Sequence, residues 1–388
     1  MQRKFVMKKI AAYLKKEVVL CIAIILAVLS MFIIRPDSQY LSYIDFRTLA
    51  ILFCLMIIVA GFKELGFFDL PAEKLLTAAG SLRATVLVLV FLCFFLSMVI
   101  TNDVALITFV PFTITVLHKM GEEVRRKWML QVVVMQTIAA NLGSMFTPIG
   151  NPQNLYLFGL TDFTTLDFLK FMFPYMGVSF LLLTGWIFLA AGGKKERGMA
   201  GEPTEYVTVD SCGNRIEKTI VYSLLLVLSL LTVGRILPYW IAFVCVLLYT
   251  LLRNHSLLRK VDYSLLGTFA ALFIFIENLG RIQVFHDFLL KIITGREVIT
   301  AVIASQVMSN VPAAILLSGF TENVRGLIVG TNLGGLGTLI ASMASLISFK
   351  YVAEEAGREK GTYLRLFTVA NLLFLAVLLG VAGVLGQF

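Results

Sequence analysis

A ten-residue motif recurs in this chain with five of its ten positions identical, and both copies interrupt apolar sequence. Asn141-Leu142-Gly143-Ser144-Met145-Phe146-Thr147-Pro148-Ile149-Gly150 returns without a gap as Asn332-Leu333-Gly334-Gly335-Leu336-Gly337-Thr338-Leu339-Ile340-Ala341. Upstream of each lies a second matched pair, Thr101-Asn102-Asp103-Val104-Ala105 and Ser309-Asn310-Val311-Pro312-Ala313. Glycine and proline break helices, and Asn, Ser and Thr offer polar groups, so none of these segments suits an uninterrupted apolar helix. Two polar, glycine-rich interruptions per half, repeated, are the pattern that internal symmetry leaves in membrane transporters.

Composition requires the membrane. Of 388 residues, 59% are hydrophobic and 15% charged, more apolar surface than a soluble core of this size can hide. Strand alternation is absent, and apolar runs of about 16 to 24 residues fit helices crossing a hydrocarbon core roughly 30 Å thick. A β-barrel does not fit that pattern. The five cysteines do not form a disulfide framework: Cys21, Cys54, Cys93 and Cys245 lie in apolar segments, and Cys212 stands alone in a polar stretch. The net charge of +9 comes without basic segments interleaved with aromatics, so no nucleic-acid partner is expected. The basic N-terminal stretch and its apolar run end without a small-x-small cleavage site, which predicts a retained first helix.

The repeat sets the expected domain plan. Residues 1–191 form an N-terminal unit with a hairpin over 85–118 and a broken helix over 128–158. A cytoplasmic linker covers 192–218 and a connecting helix 219–235. Residues 236–388 form the second unit, with a hairpin over 297–320 and a broken helix over 327–350. The second hairpin has Ser309-Asn310 in its middle, and arms of about ten residues reach roughly 15 Å, half a bilayer. It enters and returns. The first has longer arms; two short crossing helices stay open there, and symmetry favours re-entrance.

The connecting helix places the second unit upside down relative to the first, and charge tests that independently. With the N-terminus inside, most of the 33 basic residues fall in cytoplasmic segments, among them the clusters Lys8-Lys9, Arg125-Arg126-Lys127, Lys194-Lys195 and Arg259-Lys260. The expected fold is therefore an all-α polytopic membrane protein, an inverted repeat with two re-entrant hairpins and two broken transmembrane helices. The hairpin tips approach each other from opposite faces.

Broken helices in hydrocarbon leave N–H and C=O groups that cost several kcal/mol each unless protein, water or ligand satisfies them. Half-helix N-termini favour anions, and carbonyls at half-helix C-termini hold Na⁺. Gly143, Gly150, Gly334 and Gly337 permit close approach, and Pro148 keeps the helix from closing over its break. The candidate substrate-binding set is Asn102, Asp103, Ser144, Thr147, Asn151, Asn154, Asn310, Val311 and Thr338. The candidate cation-binding set is Thr101, Asn102, Asp103, Gly143, Ser309, Asn310, Asn332 and Gly334. A single glycine of this kind serves helix packing more often than binding, but the doubled set of Asn, Gly and Thr points to a site.

Asp103 is a carboxylate deep in apolar sequence, which is costly and usually functional. It is expected to bind a proton or complete a cation site; a tip nearer water, with Asp103 capping the second arm, is the plainer alternative. Glu277 and its repeat counterpart Lys63 lie at helix ends and are read as snorkelling or structural. His118, His255 and His286 show no ligand spacing. No catalytic residue, cofactor or metal is expected beyond Na⁺ or H⁺ as coupling ion.

The segments SMVITNDVALITFVPF (97–112), ANLGSMFTPIGNPQNLYLF (140–158), SQVMSNVPAAILLSGF (305–320) and GTNLGGLGTLIASMASLISF (330–349) resemble the ion transporter superfamily. The likeness is to its citrate-transporter-like permeases, which include divalent anion:sodium symporters and arsenite pump membrane subunits. The resemblance runs from about residue 45 to 388. It implies an inverted-repeat fold, a homodimer built on scaffold helices, and elevator-like movement of a transport domain; the expected location is the plasma or inner membrane. In the dicarboxylate symporters a Ser-Asn-Thr at each tip contributes to sodium and carboxylate binding. Asn102 and Asn310 match its Asn, and Thr101 and Ser309 its first hydroxyl. Asp103 and Val311 depart from its third position, and an acid there repels a di- or tricarboxylate unless neutralised.

The expected function is therefore secondary active transport of a small anion, with membrane lipid as its surroundings. An arsenite or metalloid efflux permease is the alternative, and a Na⁺/H⁺ antiporter a weaker one. An intramembrane enzyme lacks any metal motif or paired acids in the apolar segments. A channel is disfavoured by hairpins that close both faces.

Overall fold

The computed structural model describes residues 17–190, 212–355 and 359–388, and among them every regular element is helical. The described elements begin with α1 (Val18–Ile33) and, after a single turn at Tyr40–Tyr43, α2 (Phe46–Glu64) and α3 (Asp69–Thr77). The hairpin arms α4 (Leu82–Ile100) and α5 (Asn102–Lys119) follow, then α6 (Glu122–Ser144), α7 (Pro152–Leu160) and α8 (Thr165–Ala190). Helix α9 (Cys212–Val233) leads to α10 (Tyr239–Arg253), α11 (Tyr263–Gly280) and α12 (Gln283–Ile293). The second hairpin is α13 (Glu297–Met308) and α14 (Asn310–Ser318), followed by α15 (Val324–Gly334), α16 (Met343–Glu355) and α17 (Lys360–Val384).

Short polar caps fix where these helices start. Asp45 accepts from the Thr48 N–H at 3.0 Å, Asp262 from Leu265 at 2.9 Å and Asn323 from Gly326 at 3.0 Å, each satisfying one of the N–H groups a helix start leaves unpaired. Among the described residues six helices, α2, α4, α8, α9 (from Arg215), α11 and α17, are long and apolar enough to cross a membrane. The chain is a polytopic membrane protein.

Several elements run past the apolar windows that predict them. The first hairpin begins at Leu82 and ends at Lys119, its broken helix begins at Glu122, and the second broken helix runs from Val324 to Glu355. Charged turns propagate helix beyond the apolar part: Glu122 pairs with Arg125 at 2.5 Å and Arg126 at 3.0 Å on one face, and its charge suits a helix N-terminus. The linker expected over 192–218 lies largely outside the described residues, and its last part, from Cys212, already belongs to α9.

Packing sorts the helices into two groups. Helices α1, α2, α9, α10 and α11 pack on one another, and so do the hairpins, the broken helices, α8 and α17. Short α3 lies between α2 and α4 in the chain, and α12 between α11 and α13; each packs on the first hairpin arm that follows it. Across the middle, α7 packs on α14 and α15 while α16 packs on α5 and α6. The helix beyond each break thus packs against the hairpin that belongs to the other break.

Candidate functional site

Each hairpin turns on one residue with a rare backbone conformation. Thr101 has φ 70° and ψ 152°, and Ser309 has φ 74° and ψ 156°. This region is almost reserved for glycine and costs a side-chain-bearing residue about 1–3 kcal/mol. Two non-glycine residues hold it at matching positions of the repeat.

Each tip then meets the break of its own broken helix, through contacts that match in place though not always in the atoms that make them. A Cβ on Gly143 would collide with the Phe94 carbonyl and Ser97 Oγ, and one on Gly334 would lie 2.5 Å from Ser305 Oγ; Ser97 and Ser305 are repeat partners. Thr147 Oγ1 donates to the Met98 carbonyl, and Thr338 Oγ1 to the carbonyl of Gln306, the partner of Met98, at 3.3 Å. The Gly150 carbonyl accepts the Asn102 N–H at 3.2 Å, and the carbonyl of Ala341, its counterpart, accepts Ser309 Oγ at 3.4 Å.

The two breaks are stitched to each other by carboxamides. Asn151 Nδ2 donates to Asn332 Oδ1 at 3.0 Å, and Ser342 Oγ, at the position matching Asn151, donates to Asn141 Oδ1 at 3.0 Å. Asn332 Nδ2 donates to Asn154 Oδ1 at 2.5 Å and to the Ile328 carbonyl at 2.7 Å. Asn141 Nδ2 reaches the Gly335 carbonyl at 3.5 Å, and Asn141 Oδ1 accepts Asn102 Nδ2 at 3.0 Å. The tips converge there, because a Cβ on Gly335 would lie 3.1 Å from Asn310 Nδ2. All these amides are buried, where an unpaired polar group costs about 1–3 kcal/mol, so the network fixes how the two halves meet.

The residues expected from sequence fall into distinct places. Asn102, Ser144, Asn151, Asn154 and Asn332 join the central network, with Ser144 Oγ donating to the Asn141 carbonyl at 2.9 Å and Asn151 capping α7 through the Asn154 N–H at 2.9 Å. Ser309 and Asn310 are buried at the second tip. The hydroxyls of Thr147 and Thr338 bond back to their own hairpins. Gly143 and Gly334 are points of close contact between hairpin and broken helix. Asn141, Ser342 and Gln306 were missing from the sequence-derived sets. Asn141 and Ser342 were findable as the repeat partners of Asn332 and Asn151; Gln306 has no polar partner in the repeat, so nothing in the pattern marks it.

Asp103 stands apart. Its N–H is held by Asn102 Oδ1 at 3.0 Å, while its own Oδ1 is buried without a hydrogen-bond partner. A cleft bordered by Asp262, Ser264, Thr268, Ser309 and Val311 leads from the start of α11 to the second tip. Among the described residues no group of three His, Cys, Asp or Glu side chains is arranged to hold a metal.

The sequence matches the model of the family described as Citrate transporter over residues 5–326. The chain belongs to the citrate transporter family. It is 33% identical to an uncharacterized transporter of Methanocaldococcus jannaschii over 85% of this chain and 87% of that protein. It is 29% identical to the inner membrane protein YbiR of Escherichia coli over 83% and 84% of the two chains. The P protein of Homo sapiens is 32% identical over 41% of this chain, a match covering 19% of that longer protein. A family member of this composition is a membrane transporter, and the polar network at the two breaks is where its helices open in the middle of apolar sequence.

Proposed function

We propose that this transporter is a secondary active carrier of a small anion, a carboxylate or an inorganic oxyanion, coupled to Na⁺ or H⁺ through elevator-type alternating access. The observation that carries the reading is the pair of hairpin tips. Both are held in the same strained conformation, both press on a broken helix, and both lie at carboxamides that join the two halves. The matching contacts support an inverted repeat with re-entrant hairpins. The arms of the second, 12 and 9 residues or about 18 and 14 Å, are too short to cross. Those of the first, 19 and 18 residues, end against a break that α7 extends beyond.

In this reading the group of α1, α2, α9, α10 and α11 is the scaffold and the site of homodimerisation. The hairpins and broken helices move as the transport group on the short connectors α3 and α12. The N-terminus is cytoplasmic and the membrane is the plasma or inner membrane. Asn102, Ser144, Asn151, Asn154 and Asn310 supply amides and hydroxyls to the substrate, with Thr147, Val311 and Thr338 at its margin. Thr101, Asn102 and Asp103, with the backbone at Gly143, hold the cation of the first half. Ser309, Asn310, Asn332 and Gly334 are their counterparts in the second. The cleft beside Asp262 gives access from the face where α11 starts.

Asp103 governs the charge logic. An ionised carboxylate repels an incoming anion in a site of low dielectric, so a proton or Na⁺ on Asp103 precedes or accompanies substrate. Uptake is then expected to rise as pH falls on the substrate side, or as Na⁺ rises, and Asp103→Asn is expected to flatten that dependence. Proteoliposome uptake of citrate, succinate, sulfate and arsenite under imposed Na⁺ or proton gradients tests the function. A rate indifferent to both gradients would rule out coupling, and flux that never saturates would indicate a channel. A second reading, efflux of arsenite or a similar metalloid, is favoured by the same orphaned acid, because a neutral species avoids its repulsion.

A further inference from the structure

The two breaks are not held alike, and the difference lies in Gln306. This residue stands on α13, three positions before the second tip, and its carboxamide reaches into the second break. Nε2 donates to the carbonyls of Gly334 and Leu336 at 2.9 Å each and to that of Val302 at 3.2 Å, while Oε1 accepts the Thr338 N–H at 2.8 Å. Carbonyls on one side and an N–H on the other determine which way the amide points. Three carbonyl oxygens converge on a nitrogen with two protons. Oxygens from the end of a half-helix and the irregular chain after it are the ligands that a small cation takes in a broken helix.

In the first half, the matching hairpin residue is Met98, whose side chain has no N–H to give. There the carbonyls of Met145 and Thr147 are met from beyond the break by Asn154 Nδ2, at 3.2 Å each. The partner of Asn154 in the second half is Ser345, whose hydroxyl is buried without a hydrogen bond. The acid is one-sided too, with Asp103 at the first tip and Val311 at the second. In the first half the amide comes from beyond the break and the tip brings a carboxylate with one buried oxygen unpaired; in the second the amide comes from the hairpin and the tip brings no carboxylate.

We propose that Gln306 takes the place of a cation in the second half, its amide nitrogen filling the carbonyl set of Gly334 and Leu336, so that coupling is confined to a single cation at the first tip around Asp103. This rests on the cation-coupled reading above and narrows it, removing Ser309, Asn310, Asn332 and Gly334 from the cation-binding set. It also assigns the hairpins different tasks. The second is tied to its break whether or not the site is loaded, and the first responds to the ion.

The test is ²²Na⁺ binding to the purified full-length protein in nanodiscs, which needs no knowledge of the transported anion. Wild type is expected to bind at most one Na⁺ per chain, and Asp103→Asn none. Adding Gln306→Glu or Gln306→Met to Asp103→Asn is expected to restore binding of one Na⁺ per chain, because the carbonyl set is then vacant. Two Na⁺ on wild type, or Na⁺ retained by Asp103→Asn, would overturn the proposal. So would Gln306 variants that bind none, or loss of folding in both, which would make the clasp purely structural. If no anion is taken up under any gradient, the transport reading fails by itself, and the binding counts still decide the role of Gln306.

Discussion

Gly143 and Gly334 occupy the same place in the repeat but are constrained by different atoms, and this separates two outcomes of one substitution. A Cβ at residue 334 lies 2.5 Å from Ser305 Oγ and 2.7 Å from Ser305 Cβ, so Gly334→Ala is expected to misfold and Ser305→Gly to restore it in the double variant. At residue 143 the obstacle is the backbone carbonyl of Phe94, and Ser97→Gly is expected not to rescue Gly143→Ala. Fluorescence-detected gel filtration of the four variants reads both. The strained tips give a second expectation. Thr101→Gly relieves about 1–3 kcal/mol of backbone strain and loses about 0.5–1 kcal/mol to the freer unfolded chain, for a net gain of about 1 kcal/mol. A higher thermal unfolding midpoint in detergent checks it, and a fall would mean that the Thr101 side chain outweighs its strain. The Asn and Gly of each break were legible in sequence because they recur. Gln306 was not, since a glutamine matched by a methionine looks like ordinary variation until its four hydrogen bonds are seen.

The broken helices show how one element is held at both ends. Helix α7 has only 9 residues, starts on the Asn151 cap and ends under Arg235, whose guanidinium donates to the carbonyls of Phe158 at 3.1 Å, Gly159 at 3.2 Å and Thr161. A cation over the last carbonyls suits the negative end of the helix, and here it comes from the turn after α9, in the other packing group. Arg235 itself has φ 62°, so Arg235→Gly keeps the backbone at ease while it removes the whole side chain, both the guanidinium's hydrogen bonds and its place over the Phe158 ring. That variant is expected to lose about 2 kcal/mol of stability in thermal unfolding and to turn over faster in proteoliposomes if the contact breaks in each cycle. An unchanged rate would show that α7 and this turn stay together. Element boundaries were the least legible part: apolar windows marked where helices cross, whereas pairs such as Glu122 with Arg125 extend them into the polar margin.

At the scale of the molecule, ion pairs gather chain segments at the faces that the charge distribution assigns. His118 and Arg125 both meet Glu355, at 2.7 and 3.1 Å, joining the ends of α5 and α16 to the start of α6, and Lys260 meets Glu64 at 2.6 Å. All of these lie in segments expected inside, while Asp37 meets Arg281 at 3.0 Å in segments expected outside. Single cysteines in a cysteine-free background test the orientation in intact cells. Glu123→Cys, Arg259→Cys and Glu354→Cys are expected to resist an impermeant maleimide, and Asp162→Cys, Asp287→Cys and Glu322→Cys to react with it. The reverse pattern would turn the protein over in the membrane. Sequence alone determined that the chain lives in a bilayer, that a polar motif recurs along it, and which polar residues interrupt its apolar runs, because hydrocarbon tolerates polar backbone only where something compensates it and every exception is visible in composition. Only the tertiary structure decided what compensates each exception. Hydrogen bonds act over about 3 Å and join residues far apart in the chain: Asn151 to Asn332, Ser342 to Asn141, and one glutamine to the carbonyls of the second break.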